Sequence, residues 1–560
     1  MPKPTGADME TTDVIARACV AEGVSHAFAL LGDGNMHLAA ALEREGCQFT
    51  HVRHEHCAVS MAMAYSRTAH TIGFATVTCG PGLSQVMTAL IAAVRAQIPL
   101  VIIAGESPLG LAWYNQALDQ APLVTACGAS YMQVHTQHQL FPKLNEAFAE
   151  AREKSRPVVV GIPFDLQESA WTLETTYQPT VAWPTVDKRV ISNRENFDAA
   201  VAVINASERI ILVGGRGAVV SGAKQACMTL ATTVDALLAT TLPARGLFHD
   251  DPYNLNVSGG FASDAAKHFF AEADLVIVVG GRLASHAADA GRLHPKAQVL
   301  QIDTNPVVLS QGRIAATHHL CGDARLTVEA LLAHPDLSSK PARQRVPSYK
   351  ALIDNPVFDA YEQTATDARL DPRAVITALD AALPKDWMMV NSSGHCSYYA
   401  AHMRGRDVVN FLTIREFGAI GNGLAYAAGA AVVKGDIPTV LFDGDGGFLM
   451  HVQELETIRR HRLNVLICIL NDGGYGSEVH KLRKDGVSEQ GAYFGHDDLA
   501  AVARGFGLEG YRVDSLGQLT DAVDAFKAAH ASGQARPTVL DIHISDRIMS
   551  PVMRRIVKPR

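Results

Sequence analysis

Two short stretches late in the chain combine carboxylates with glycines in a pattern that suits a hard cation and a phosphate. Asp443-Gly444-Asp445-Gly446-Gly447 follows the apolar run Thr439-Val440-Leu441-Phe442, and Asn471-Asp472-Gly473-Gly474 follows the apolar run from Val465 to Leu470. Asp445 offers one carboxylate, Asp472 a second side-chain oxygen, and the Gly474 region a main-chain carbonyl. Gly444, Gly446 and Gly447 let the main chain approach phosphate oxygens with no Cβ in the way. Oxygen ligands favour Mg²⁺ over zinc. A third candidate is Glu55 in His51-Val52-Arg53-His54-Glu55-His56-Cys57-Ala58. A carboxylate at such a strand-to-helix junction suits proton chemistry; taken alone, it is a helix N-terminal acid that stabilises the dipole.

The elements around these residues explain how they meet. The late segment reads as strand, tight turn, helix, strand, turn, which brings both oxygen clusters to one end of neighbouring parallel strands. A short strand, Cys47 to Val52, precedes Glu55, and a small-residue helix from Ala58 to Ser66 follows it. Strand-like alternation predicts that His54 and His56 share a face opposite Glu55.

Strand and helix patterns alternate along the whole chain, which predicts an α/β protein of three doubly wound parallel-sheet domains. The expected spans are 1–175, 190–335 and 370–560, with linkers at Pro179 to Pro184 and at the polar stretch Asp336 to Asp371. The middle domain carries Gly214-Gly215-Arg216-Gly217 and Gly280-Gly281-Arg282 after strand-like runs. These turns could hold FAD or another nucleotide, or simply connect strands to helices.

Composition excludes several classes. With 560 residues, a net charge of −8 and a pI near 6.3, the chain has no basic excess for nucleic acid. Nine cysteines without a CxxC pair suggest reduced thiols rather than disulfides or zinc. The longest apolar stretches, such as Leu424 to Val433, fall short of the ~20 residues that span a bilayer, and the polar N-terminus is not a signal peptide. A cytoplasmic protein is expected.

With these motifs in place, the chain resembles the thiamine diphosphate (ThDP) enzymes of the acetolactate synthase, 2-oxoacid decarboxylase and benzaldehyde lyase superfamily. The resemblance implies that Asp445, Asp472 and the Gly474 carbonyl bind Mg²⁺, although Asn is commoner in the family where Asp472 stands. It implies that Glu55 faces N1′ of the aminopyrimidine and shares a proton with it. Thr76 to Gln85, with Gly80-Pro81-Gly82, is similar to the family's pyrimidine-side turn. In Phe417 to Gly423, Ile420 would wedge between the cofactor rings and Gly418 would offer its carbonyl to the 4′-amino group. Gly394-His395-Cys396 stands where relatives contact the diphosphate, and Tyr475 opens a helix expected over the site. Gln116 matches a substrate-side Gln of acetolactate synthases, with Asn115 replacing the preceding aromatic. In Leu31 to Met36, Asp33 or Asn35 would contact substrate or only fill a turn; His480 or Lys481 would hold a carboxylate or face solvent.

The implied activity is a C–C lyase or carboligase acting on a small 2-oxo acid, with an acetolactate synthase-like reaction as the leading form. Alternatives are an acyloin or 2-hydroxyacyl-CoA lyase, a simple 2-oxoacid decarboxylase, a cyclic-diketone hydrolase, and a non-catalytic homologue. The resemblance also implies a homodimer or homotetramer with the cofactor between subunits.

Overall fold

The computed structural model describes residues 9–184, 187–357, 359 and 369–557; the outer ends of the first and third expected spans, and part of the second linker, lie outside them. It contains three six-stranded parallel sheets. Runs such as Val158 to Ile162, Leu275 to Val279 and Val465 to Leu470 are apolar without alternation because both faces of each sheet are covered by helices.

The first sheet contains β1 (His26–Ala29), β2 (Gln48–His51), β3 (Gly73–Val77), β4 (Leu100–Glu106), β5 (Ser130–Gln133) and β6 (Pro157–Pro163), in the order β2-β1-β3-β4-β6-β5. The central sheet uses β7 (Ile210–Gly214), β8 (Leu237–Thr240), β9 (Asn254–Val257), β10 (Leu275–Val279) and β11 (Gln298–Asp303). A small antiparallel hairpin, β12 (Leu309–Ser310) with β13 (Arg313–Ile314), precedes the last central strand, β14 (His318–Cys321), giving the order β14-β11-β10-β7-β8-β9. The third sheet contains β15 (Met388–Asn391), β16 (Phe411–Thr413), β17 (Thr439–Gly444), β18 (Val465–Asn471), β19 (Glu509–Val513) and β20 (Thr538–His543), in the order β16-β15-β17-β18-β20-β19. Counted within each domain, the first and third sheets share one strand permutation, and the central sheet has another.

The first and third domains share a continuous core. The helix Glu55–Ala69 packs against Gly423–Lys434 through faces rich in Ala and Gly. A Cβ on Gly429 would lie 2.2 Å from the Met61 carbonyl oxygen, so only glycine permits this approach. All nine cysteines are free thiols. Among the described residues no helix is long and apolar enough to cross a membrane.

Candidate active site

The third sheet reverses its strand order between β15 and β17, and ligands of open α/β sheets bind beyond the carboxyl ends of strands at such a reversal. The loop after β15 brings Gly394 and His395; β17 ends in Gly444 and runs directly into the short helix Asp445–Met450. β18 lies beside β17 in parallel register and delivers Asp472 to the same end.

Asp445 is 1 % exposed, and neither of its carboxylate oxygens has a hydrogen-bond partner. Burial, reinforced by the Asp472 charge, pushes its pKa well above the usual carboxylate range. Asp472 Oδ2 lies 3.9 Å from His395 Nδ1, and the other ring nitrogen of His395, Nε2, accepts the Ser550 N–H at 3.1 Å. Two buried carboxylates side by side, with both Asp445 oxygens unused, suit a hard divalent cation.

The glycines shape the space around this pair. A Cβ on Gly446 would lie 2.6 Å from the Tyr475 ring, one on Gly447 2.7 Å from Asp443 Oδ1, and one on Gly474 2.5 Å from the Ala492 carbonyl oxygen. Gly394 has φ +105°, and a Cβ there would come within 3.7 Å of Ile420 Cγ2. Gly418 faces open space. The structure therefore gathers Gly394, His395, Ile420, Gly444, Asp445, Gly446, Gly447, Asp472, Gly474 and Tyr475 at one end of the third sheet, with Gly418 at its margin.

A second set lies at the matching reversal of the first sheet, between β1 and β3. Glu55 opens its helix, is half-buried, and has its carboxyl pKa raised by burial. Its Oε1 would be 3.7 Å from a Cβ on Gly82. Gly80 has φ +57°, and a Cβ there would lie 2.2 Å from the Gln116 carbonyl oxygen; the Cys79 thiol points at Gln116 Oε1 from 3.5 Å. Among the described residues, no hydrogen bond or ion pair joins Glu55, Gly80 or Gln116 to the set on the third sheet.

Other candidates resolve individually. Asn35 is committed to its own turn, accepting the Gly32 N–H at 2.8 Å and donating to the Leu30 carbonyl at 3.1 Å. Asp33 is exposed and accepts the Tyr114 hydroxyl. His480 is buried edge-on against the His395 ring, and burial lowers its pKa to about 3; Lys481 faces outward and pairs with Glu478.

The strand-like alternation does not hold, because the helix begins at Glu55 and His54 is its N-cap, accepting the His56 N–H; both rings nevertheless face His451, at 5.3 and 4.9 Å. His56 instead enters the interface between the first and third domains. Its Nε2 is 2.5 Å from Asn422 Oδ1, and its ring stacks on His451 at 4.9 Å. Sequence reasoning did not find this contact, which joins residues 366 apart.

In the central domain, the reversal between β7 and β10 is the expected nucleotide crevice. Its two glycine turns fill each other: a Cβ on Gly215 would lie 2.2 Å from the Gly280 carbonyl oxygen. The Gly215 and Gly217 N–H groups donate to the Val279 and Gly280 carbonyls. Arg216 and Arg282 reach away to the carbonyls of Gln97 and Arg95 in the first domain. The two glycine turns thus pack directly on each other.

Comparison with known proteins extends along the chain. Residues 9–124 match the N-terminal TPP binding domain of the thiamine pyrophosphate enzymes, residues 197–331 the central domain, and residues 392–542 the C-terminal TPP binding domain. The probable acetolactate synthase large subunit of Methanocaldococcus jannaschii is 26 % identical, over 97 % of this chain and 93 % of its own. The acetolactate synthase isozyme 2 large subunit of Escherichia coli is 27 % identical, over 91 % and 92 %. The sulfoacetaldehyde acetyltransferase of Castellaniella defragrans is 25 % identical, over 98 % and 95 %.

Proposed function

Because this chain belongs to the thiamine pyrophosphate enzymes, we propose that it is a ThDP- and Mg²⁺-dependent carboligase or lyase acting on a small 2-oxo acid, in an acetolactate synthase-like reaction. The observation that carries the reading is Asp445, whose two buried, unpartnered oxygens sit beside Asp472 at the mouth of a glycine cradle. A bound Mg²⁺ would supply the charge these carboxylates lack, held by Asp445, Asp472 and the Gly474 carbonyl. Gly394, His395, Gly444, Gly446 and Gly447 would hold the diphosphate, with Tyr475 over it.

When bound, thiamine diphosphate supplies a carbon nucleophile and an electron sink for making or breaking a C–C bond next to a carbonyl. Glu55, with its raised pKa, is suited to share a proton with N1′ of the pyrimidine ring. Gly80, Gly418 and Ile420 would border the same ring, and Gln116, held against Gly80, would meet the substrate.

In this reading the Glu55 set and the Asp445 set each form half of a centre that a second copy completes. Exposed apolar side chains border both: Leu31, Leu109, Leu111 and Trp113 near the Glu55 set, and Met450, Tyr475 and Phe494 near the Asp445 set. This supports a homodimer or homotetramer with sites between subunits. We place it in the cytoplasm, consistent with its free thiols.

The test is to incubate the protein with ThDP, Mg²⁺ and pyruvate and identify products by NMR. Acetolactate supports the synthase form and acetaldehyde a decarboxylase. No turnover of pyruvate or other 2-oxo acids, with acetyl transfer to or from an aldehyde instead, would favour a second reading, supported by the similarity to sulfoacetaldehyde acetyltransferase.

A further inference from the structure

Between the central and third domains sits the guanidinium of Arg415. Arg415 follows β16 and precedes Gly418 by three residues. Its guanidinium lies 5.5 Å from the Phe261 ring of the central domain and 5.3 Å from the Tyr398 ring of the third. Its Nη1 is shut off from water without a hydrogen-bond partner. Glu416, the next residue, turns its carboxylate to the Arg415 main-chain N–H at 2.8 Å and toward Arg67 at 3.9 Å. Among the described residues, no side-chain carboxylate pairs with the Arg415 guanidinium.

Nearby arginines differ in this respect. Arg67 donates to the Ala96 carbonyl, Arg282 to the Arg95 carbonyl, and Arg555 to Asp289 and the Gly260 carbonyl. The Arg282 and Arg555 bonds cross between domains. The two aromatic faces orient the Arg415 guanidinium but bring no counter-charge. A half-buried cation in that position is poorly compensated until an anion arrives.

Its location says where the anion would come from. The Tyr398 ring that faces Arg415 also stands edge-on to the His395 ring, with centroids 6.3 Å apart, and Cys396 Sγ would touch a Cβ on Gly444 at 3.5 Å. The guanidinium thus stands where the central domain meets the Gly394–Ile420 side of the candidate reaction centre. A planar guanidinium takes oxyanions through paired N–H donors, and carboxylate and phosphate fit it equally.

We infer that Arg415 is a specificity-determining residue that receives the anionic end of the substrate, a carboxylate or a phosphate, where the central and third domains meet. The inference rests on the lyase or carboligase reading for the identity of the bound molecule as substrate.

The experiment compares wild type with Arg415→Gln and Arg415→Lys, each titrated calorimetrically with pyruvate and separately with inorganic phosphate. Both titrations are run with and without ThDP and Mg²⁺, and ThDP affinity and Tm are measured in parallel. Wild type should bind at least one anion. Arg415→Gln should weaken that binding by roughly ten- to a hundredfold, as expected for loss of a charged hydrogen bond, and Arg415→Lys should restore part of it. ThDP affinity should be unchanged. The preferred anion identifies the source of the oxyanion.

Absence of anion binding in wild type, or equal binding in Arg415→Gln, overturns the proposal. So does a matching loss of ThDP affinity, which would assign Arg415 to the cofactor, and so does a change confined to Tm, which would make it structural. A wild type that binds anions but no ThDP would instead refute the functional reading, and the cofactor-free titrations would still decide whether Arg415 binds the anion.

Discussion

Gln120 accepts the Gly80 N–H at 3.0 Å and thereby anchors the left-handed turn beside Glu55. The same amide donates through Nε2 to the Gly105 carbonyl and to the Tyr131 hydroxyl, which in turn donates to Glu106 at 2.5 Å. Gln120→Leu leaves a buried N–H and a buried carbonyl without partners and should destabilise the protein by about 1–3 kcal/mol. Because Gly80 also touches the Gln116 backbone, turnover should fall more than the folded fraction does. Urea unfolding and kcat measured on the same preparation check this; a loss of stability with kcat intact would limit Gln120 to packing.

Glu55→Gln should keep the helix start and the fold while removing the exchangeable proton. Turnover should drop by about 10²–10⁴-fold, with ThDP affinity little changed. Steady-state kinetics and a ThDP titration provide the check, and near-normal kcat would remove Glu55 from proton transfer.

Asp445 gives a stability test that runs opposite to its activity test. In the cofactor-free protein its buried oxygens are unsatisfied and face Asp472, so Asp445→Asn should stabilise that form by about 1–3 kcal/mol. The same change should abolish Mg²⁺-dependent ThDP binding. Thermal shifts with and without Mg²⁺ and ThDP separate the two effects. Asp472→Asn, which supplies the residue commoner in the family, should retain ThDP binding.

Acid should weaken the contact between the first and third domains. Burial lowers the His56 pKa to about 4, whereas an unfolded histidine titrates near 6.5. Between those values the unfolded chain binds the extra proton, so stability is fully present above about 6.5 and is lost as pH falls toward 4, by on the order of 3 kcal/mol for this group. His56→Gln should flatten the pH dependence of Tm over that range. An unchanged slope would show that other groups dominate.

Trp113 is 78 % exposed in the loop that carries Gln116. Trp113→Asp should shift the assembly toward monomer and lower activity together, as read by size-exclusion chromatography with light scattering and an assay on each fraction. A monomeric wild type with full activity would refute the shared-site reading.

What could be read from the sequence was whatever lies in one contiguous segment. The Asp445 and Asp472 clusters were legible because strand, turn and ligand follow one another, and the three parallel sheets because both-face burial leaves long apolar runs. The glycine turns of the central domain were legible as turns, but not the mutual contact of Gly215 and Gly280. Nor could local pattern reveal Gln120 beneath Gly80, Arg415 between Phe261 and Tyr398, or His56 against His451. Each depends on which loops the folded sheets bring together, and the residue type alone does not encode its partner.

The crossing of Gly429 over the Met61 carbonyl has a mechanical consequence. It joins the helix that begins at Glu55 to the one that follows Ile420, with His56 and Asn422 linked at their ends. In an assembly with shared centres, Glu55 and Ile420 of one chain serve different centres. The two helices would then hold neighbouring reaction sites at a fixed spacing, because their main chains meet directly at Gly429 and Met61.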